Sequence, residues 1–287
     1  MPKMSVAFAM TLLVLGNIIA VFSDALIKAL PSETAVYQFI LFRQCTAVLM
    51  LLPFCLINKK NKLFSNIKWH FVRSHVWLLG VIFMVLSLQA LPLATANAIF
   101  YAAPLFVLPL GFLFYKDRLN FPTIAASILG FAGILVIVQP KQINLGAVFA
   151  LIVAVTMALN NLLVRKLPQH HTVYQTLLLT NLLGIPFALG LAIWEGQPFD
   201  WRSLITAASS NVFILIYAGI CVQVYRHIEA YKVSSAEYSG LIGAVVVGII
   251  LFNEVPNMTL LVGSALIILP LIWLATLESM RFRQKTG

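Results

Sequence analysis

Ser87 to Arg118 reads SLQALPLATANAIFYAAPLFVLPLGFLFYKDR. An apolar run ends at Leu91-Pro92-Leu93 and is followed by Ala94, Thr95, Ala96 and Asn97. A second apolar run from Ala98 to Tyr115 stops at Lys116-Asp117-Arg118. The pattern returns late in the chain. A break spans Ala230 to Glu237, an apolar run follows from Tyr238 to Phe252, and Asn253-Glu254 ends it. Two copies of one helix–break–helix unit predict a chain built as a tandem repeat.

Composition places this pattern in a membrane. The chain has 287 residues, 61% hydrophobic and only 10% charged. Soluble domains carry about 25% charged residues, so this chain cannot cover a water-facing surface. A spanning helix takes roughly 20 apolar residues. The expected spans run from Ser5 to Ala29, Thr34 to Ile57, Val76 to Leu91, Thr95 to Tyr115 and Phe121 to Val138. Five more follow from Leu145 to Val164, Tyr174 to Trp194, Asn211 to Tyr231, Ser235 to Phe252 and Met258 to Leu277. Asn58 to His75 reads as a polar loop, and Phe199 to Ser210 as a loop or short interfacial piece. The expected fold is therefore all-α and integral to the membrane, with ten transmembrane helices and no sizeable soluble domain.

The charges orient the spans. Net charge is +10. Membrane proteins concentrate Lys and Arg in cytoplasmic loops, and no basic, aromatic-interleaved segment points to nucleic acid. With the amino terminus inside, the inner set includes Lys3, Lys59, Lys60, Lys62, Lys68, Arg73, Lys116, Arg118, Arg165, Lys166, Lys232 and the basic tail. Only Lys28, Lys141 and Arg202 fall outside. Both termini are then cytoplasmic. Five crossings per half turn the second half over, so residues 1–140 and 141–287 are read as two inverted five-helix repeats. Secondary transporters use such repeats around a site at the membrane midplane. Cys45, Cys55 and Cys221 lie in apolar runs without metal spacing and are read as packing residues.

Several stretches carry a family resemblance: DALIKAL, FILFRQ, and LQALPLATANAIFYAAPLFVLPLGFLFYKDRL in the first half, AYKVSSAEYSGLIGAVVVGIILFNEVPN in the second. Over essentially the whole chain the sequence resembles the drug/metabolite transporter superfamily, EamA type. The resemblance implies ten helices and a central cavity lined by the first, third, fourth, sixth, eighth and ninth spans. It also implies movement of small organic solutes such as amino acids, S-adenosylmethionine, riboflavin or choline across a bacterial inner membrane. A small-molecule substrate and the lipid bilayer are the partners expected, and a homodimer is compatible with this reading. No cofactor is expected.

Candidate site residues follow from the cost of buried polarity. An ionisable group within a span costs about 2.5–3.5 kcal/mol on insertion scales and so faces a cavity or a partner. Glu237 opens the ninth span, with Asn97 as its counterpart in the first repeat. Tyr101, one turn beyond Asn97, and Tyr238 offer flat faces and hydroxyls. Asp24 and Lys28, four residues apart, can pair, and Arg43 can hold either Asp24 or a substrate carboxylate. Asn160 and Asn161 can hydrogen-bond across helices. Ala94, Ala98 and Ala102, and Ala236, Gly240, Ala244 and Gly248, form small-residue ladders suited to close helix packing.

Other classes fit poorly. The chain lacks a G-x-x-x-x-G-K-[ST] phosphate loop and an H-E-x-x-H motif, and it lacks a G-x-S-x-G elbow. His170-His171 are read as a turn without nearby carboxylates, not a metal site. The alternative class is a non-transporting membrane scaffold.

Overall fold

A computed structural model describes residues 5–57, 64–116, 121–139, 144–168, 170–227, 236 and 239–286. The described residues form helices and connecting turns. These helices are α1 (Val6–Lys28), α2 (Val36–Ile57), α3 (Ile67–Ala90), α4 (Leu93–Phe100), α5 (Ala103–Tyr115) and α6 (Phe121–Val138). The second half contributes α7 (Leu145–Leu163), α8 (Val173–Leu182), α9 (Ile185–Glu195), α10 (Trp201–His227), α11 (Ser239–Phe252) and α12 (Met258–Thr286). Among the described residues, 7 segments are long and apolar enough to cross a bilayer, and three shorter apolar helices accompany them. Outward-facing Phe112, Leu113, Phe114, Ile242, Leu251 and Leu261 are exposed, as lipid contact requires.

Local chemistry explains the boundaries. Ser5 caps α1 by accepting the Phe8 amide at 3.2 Å. Thr172 and Gln175 form a reciprocal capping box on α8. Pro104 and Pro186 sit in the first turns of α5 and α9. Proline donates no amide hydrogen bond and biases the preceding residue away from helix. Two apolar spans are therefore each broken into a pair of helices, α4–α5 and α8–α9.

Three boundaries differ from expectation, one of them at the end of α12, which runs on to Thr286, beyond Leu277. α3 begins at Ile67, well before Val76. His70, Arg73, Ser74, Trp77 and Val81 recur at helical spacing, and this mixed face turns into the protein rather than toward lipid. α10 begins at Trp201, so most of the expected Phe199–Ser210 connection is helical. Asp200 supports that start, accepting the Arg202 amide at 2.9 Å and the Ser203 amide at 3.1 Å.

The packing repeats between the halves. α1 runs along α10, and α7 runs along α3. α1 also meets α11, while α7 meets α4 and α5. α6 packs on α12. The sequence carries the same echo, since Pro31, Val36, Tyr37 and Gln38 recur in order and spacing as Pro168, Val173, Tyr174 and Gln175.

Close approach depends on small residues. Ala94, Ala98, Ala102, Ala236, Gly240, Ala244 and Gly248 are all buried, so both ladders face inward. Where α6 crosses α12, a Cβ at Gly133 would lie 2.6 Å from the Gly263 carbonyl, and one at Gly263 would lie 2.8 Å from the Gly133 carbonyl. Only backbone fits between them.

Candidate functional site

Three polar groups enter the interior. The first lies where α1, α4 and α11 meet. α3 ends at Leu91 in an extended conformation, and Pro92 precedes α4. Proline has no side chain with which to cap a helix, so the first amides of α4 need another acceptor. Glu254 supplies it across the fold: Oε2 and Oε1 accept the Leu93 amide at 2.7 and 3.0 Å. The carboxylate also sits where the positive end of the helix dipole favours an anion. Asn253 makes this possible by adopting a left-handed conformation, φ 53°, which Asn tolerates better than most residues. The Glu254 amide then bonds back to the Gly248 carbonyl at 3.0 Å.

Lys28 completes this cluster. Its Nζ lies 3.1 Å from Glu254 Oε1 and donates to the Leu91 carbonyl at 2.6 Å. It also sits 5.4 Å from the centre of the Phe252 ring. The expected Asp24–Lys28 pair is thus replaced. Lys28 turns toward the uncapped carbonyl and the acid at the α3–α4 break, where its needs are better met.

The second group is Asp24, Arg43 and Asn97. Asn97 adjoins the Asp24 carboxyl, and the Arg43 charge acts on it from further away. Asn97 and Arg43 are buried. The Asn97 Nδ2 atom also donates to the Leu93 carbonyl at 3.2 Å, which links this group to the start of α4. Tyr101 lies on the same helix end and packs on Gly240: a Cβ there would come within 2.6 Å of the ring carbon Cζ. Among the described residues, Arg43 and Asp24 are not within ion-pair distance, so their attraction acts through space and through neighbours.

The third group surrounds a cavity of about 70 Å³ between α2, α3, α8 and α10. Arg43, Gln44, Arg73, Thr180, Asn181 and Asn211 supply its polar lining. Arg73 Nη1 donates to Thr180 Oγ1 at 2.6 Å. Asn211 holds the wall, its Nδ2 donating to the Arg43 carbonyl at 2.7 Å and to Thr46 Oγ1 at 2.8 Å. Arg43 Nη1, Arg73 Nε and Gln44 Oε1 are buried without a partner.

The remaining expected site residues are more scattered. Asn160 is buried, its Nδ2 bonded to the Thr156 carbonyl at 3.0 Å and its Oδ1 without a partner. Asn161 is exposed. Glu237 and Tyr238 lie outside the described residues. Sequence reasoning passed over Glu254, Arg73, Asn181 and Asn211 as site residues. Arg73 could have been found from the helical spacing of His70, Arg73, Ser74 and Trp77. Glu254 stood in view within the FNEVPN motif. His170 and His171 lie in a turn, and His171 Nδ1 is 3.0 Å from His70 Nε2.

A buried polar interior inside a bundle of long apolar helices marks a multi-pass membrane protein. The family is more definite. Residues 7–139 and 144–276 each match the EamA-like transporter family, and the chain belongs to that family. It is 22% identical over 253 residues to an S-adenosylmethionine uptake transporter of Rickettsia prowazekii, covering 86% of this chain and 85% of that protein. It is 25% identical to a riboflavin transporter of Vibrio cholerae over 266 residues, 89% of this chain and 87% of the relative. A riboflavin transporter of Rhizobium johnstonii is 26% identical over 268 residues, 89% of this chain and 85% of its own. A crystal structure at 15% sequence identity superposes with a TM-score of 0.62 over 93% of this chain and 97% of its own, a likeness of fold.

Proposed function

We propose that this chain is a secondary-active transporter that moves small polar or zwitterionic organic metabolites across a bacterial inner membrane by alternating access. Its ten crossings form two inverted five-helix repeats, with both termini in the cytoplasm. The count takes α4 with α5 as one crossing and α8 with α9 as another, in keeping with apolar spans at Leu93–Tyr115 and Val173–Glu195. In this orientation the Lys28–Glu254 cluster lies on the outer side of the membrane.

One observation carries the reading. The interior holds an acid, Asp24, and bases, Arg43 and Arg73, within a fold shared with metabolite carriers. A zwitterion presents a cationic and an anionic group together, and such an interior can meet both. The S-adenosylmethionine carriers among its relatives favour this class. Asn97, Tyr101, Glu237 and Tyr238 are the further residues proposed to line its path. A second reading, riboflavin, is favoured by the Vibrio and Rhizobium relatives. Riboflavin is neutral near pH 7 and makes less use of the buried charges.

Flux into proteoliposomes tests this. Saturable uptake of radiolabelled S-adenosylmethionine or of an amino acid, competed by the unlabelled compound, is expected. Uptake of riboflavin alone would move the proposal to the second reading, and no flux of any of these would leave the scaffold. Single cysteines at Asn66 and Gln197 should label from opposite faces, Asn66 from the cytoplasm; labelling of both from one side would overturn the inverted repeat.

A further inference from the structure

We infer that the cavity between α2, α3, α8 and α10 is a binding site for a small anion, coordinated by Arg43 and Arg73. Two guanidinium groups face one cavity. Arg43 is only 6% exposed. Among the described residues, neither has a carboxylate oxygen within 4.0 Å. Asp24 acts on Arg43 only from a distance, outside ion-pair range. Arg73 has no acid acting on it at all among the described residues.

A buried charge without a close partner is strongly unfavourable, more so than a paired one. Arginine does not escape by losing its proton, because its guanidinium stays charged in proteins. The remaining remedy is a ligand of opposite charge. The unused donors are in place: Arg43 Nη1 and Arg73 Nε are both buried and without a partner. A guanidinium fork matches a carboxylate and also holds a spherical anion well. The rest of the second guanidinium is fixed by Thr180, so it is aimed rather than free.

The space limits the ligand. About 70 Å³ admits a halide with water, or a carboxylate group, and excludes a whole nucleoside or flavin. The chemistry is therefore a compact monovalent anion. Its source is either free chloride or the carboxylate end of a transported metabolite, and the second of these rests on the transport reading above.

Binding is measured on the purified full chain in detergent, without transport. At constant sodium and ionic strength, the bulky HEPES anion is replaced stepwise by chloride, or by formate as the free carboxylate. Mass action predicts a rise in Tm that saturates. The rise should disappear in Arg73→Gln and in Arg43→Gln and persist in part in Arg73→Lys. Trp77 lines the same cavity, which gives a second readout on the arginine-intact protein should the variants not fold. Bromide should quench a saturable fraction of its fluorescence, and Trp77→Phe should leave only the linear quenching of exposed tryptophans. Stabilisation by both ions assigns the site to any compact anion, and stabilisation by formate alone assigns it to a substrate carboxylate. A Tm insensitive to both ions together with strictly linear bromide quenching would overturn the site while leaving the transport reading intact.

Discussion

Lys28 and the Arg43–Arg73 pair are basic groups in the interior, and they are treated in opposite ways. The Lys28 ammonium has an acid at 3.1 Å, a carbonyl at 2.6 Å and an aromatic face, all supplied by the protein. Arg43 and Arg73 keep buried donors that nothing among the described residues satisfies. The difference is informative because burial costs are similar in kind. A charge whose partners are built in serves to hold helices together, here α1, α4 and α11. A charge left open needs a partner from outside.

The largest expected effect comes from breaking the satisfied cluster. Glu254→Ala strips Lys28 of its counter-charge and leaves the Leu93 amide without its cap. Both groups are mostly covered, at 14% and 15% exposure, and removing one partner of such a pair costs about 3 kcal/mol. A large fall in Tm is expected, with new reactivity of a cysteine placed at Asn97 toward outside reagents. An unchanged Tm would mean that this cluster resembles the open one and carries little.

A smaller effect sharpens the same point. A Cβ at Gly248 would lie 2.7 Å from Glu254 Oε2. The carboxylate end is flexible, but here it is held by the Leu93 amide and Lys28. Gly248→Ala should cost about 1 kcal/mol, as modest overpacking does. In a Glu254→Ala background the cost should vanish, because the obstructing oxygens are gone. Equal costs in both backgrounds would assign Gly248 to general helix packing.

The smallest effect belongs to Asp200, a half-buried acid outside both clusters. The Ser203 hydroxyl, at 2.5 Å from Oδ2, and the Arg202 amide hold its carboxyl below the usual carboxylate range. A folded-state pKa below the unfolded value of about 3.9 adds stability that is fully present above that pH. The contribution is lost as pH falls further, through the lower folded value. Asp200→Asn should therefore change Tm slightly at neutral pH, and the difference from wild type should close on acidification. A difference that widens in acid would contradict the assignment.

Much of this was legible in the chain itself. The long apolar runs, the break before Asn97 and the small ladders were visible as patterns with a fixed period. Burial of Asn97 and Arg43 followed from their position within spans, since a polar group there must find protein or water. What failed were inferences about which polar side chains meet. Lys28 was matched to Asp24 because they are one turn apart, yet its partner is Glu254, at the far end of the other half. Arg73 was placed in a loop because the residues before it are polar, although its helix extends beyond the apolar stretch.

The sequence by itself determined the membrane setting and the family. Hydropathy and period act locally, and a bilayer imposes them on every crossing. Only the tertiary structure decided that Glu254 caps α4, that Lys28 pairs with it, and that Arg43 and Arg73 share one cavity. Those outcomes depend on helices from different parts of the chain arriving side by side. A charged group in a low-dielectric interior takes whichever partner the packing brings within a few ångströms, and sequence spacing does not specify that distance.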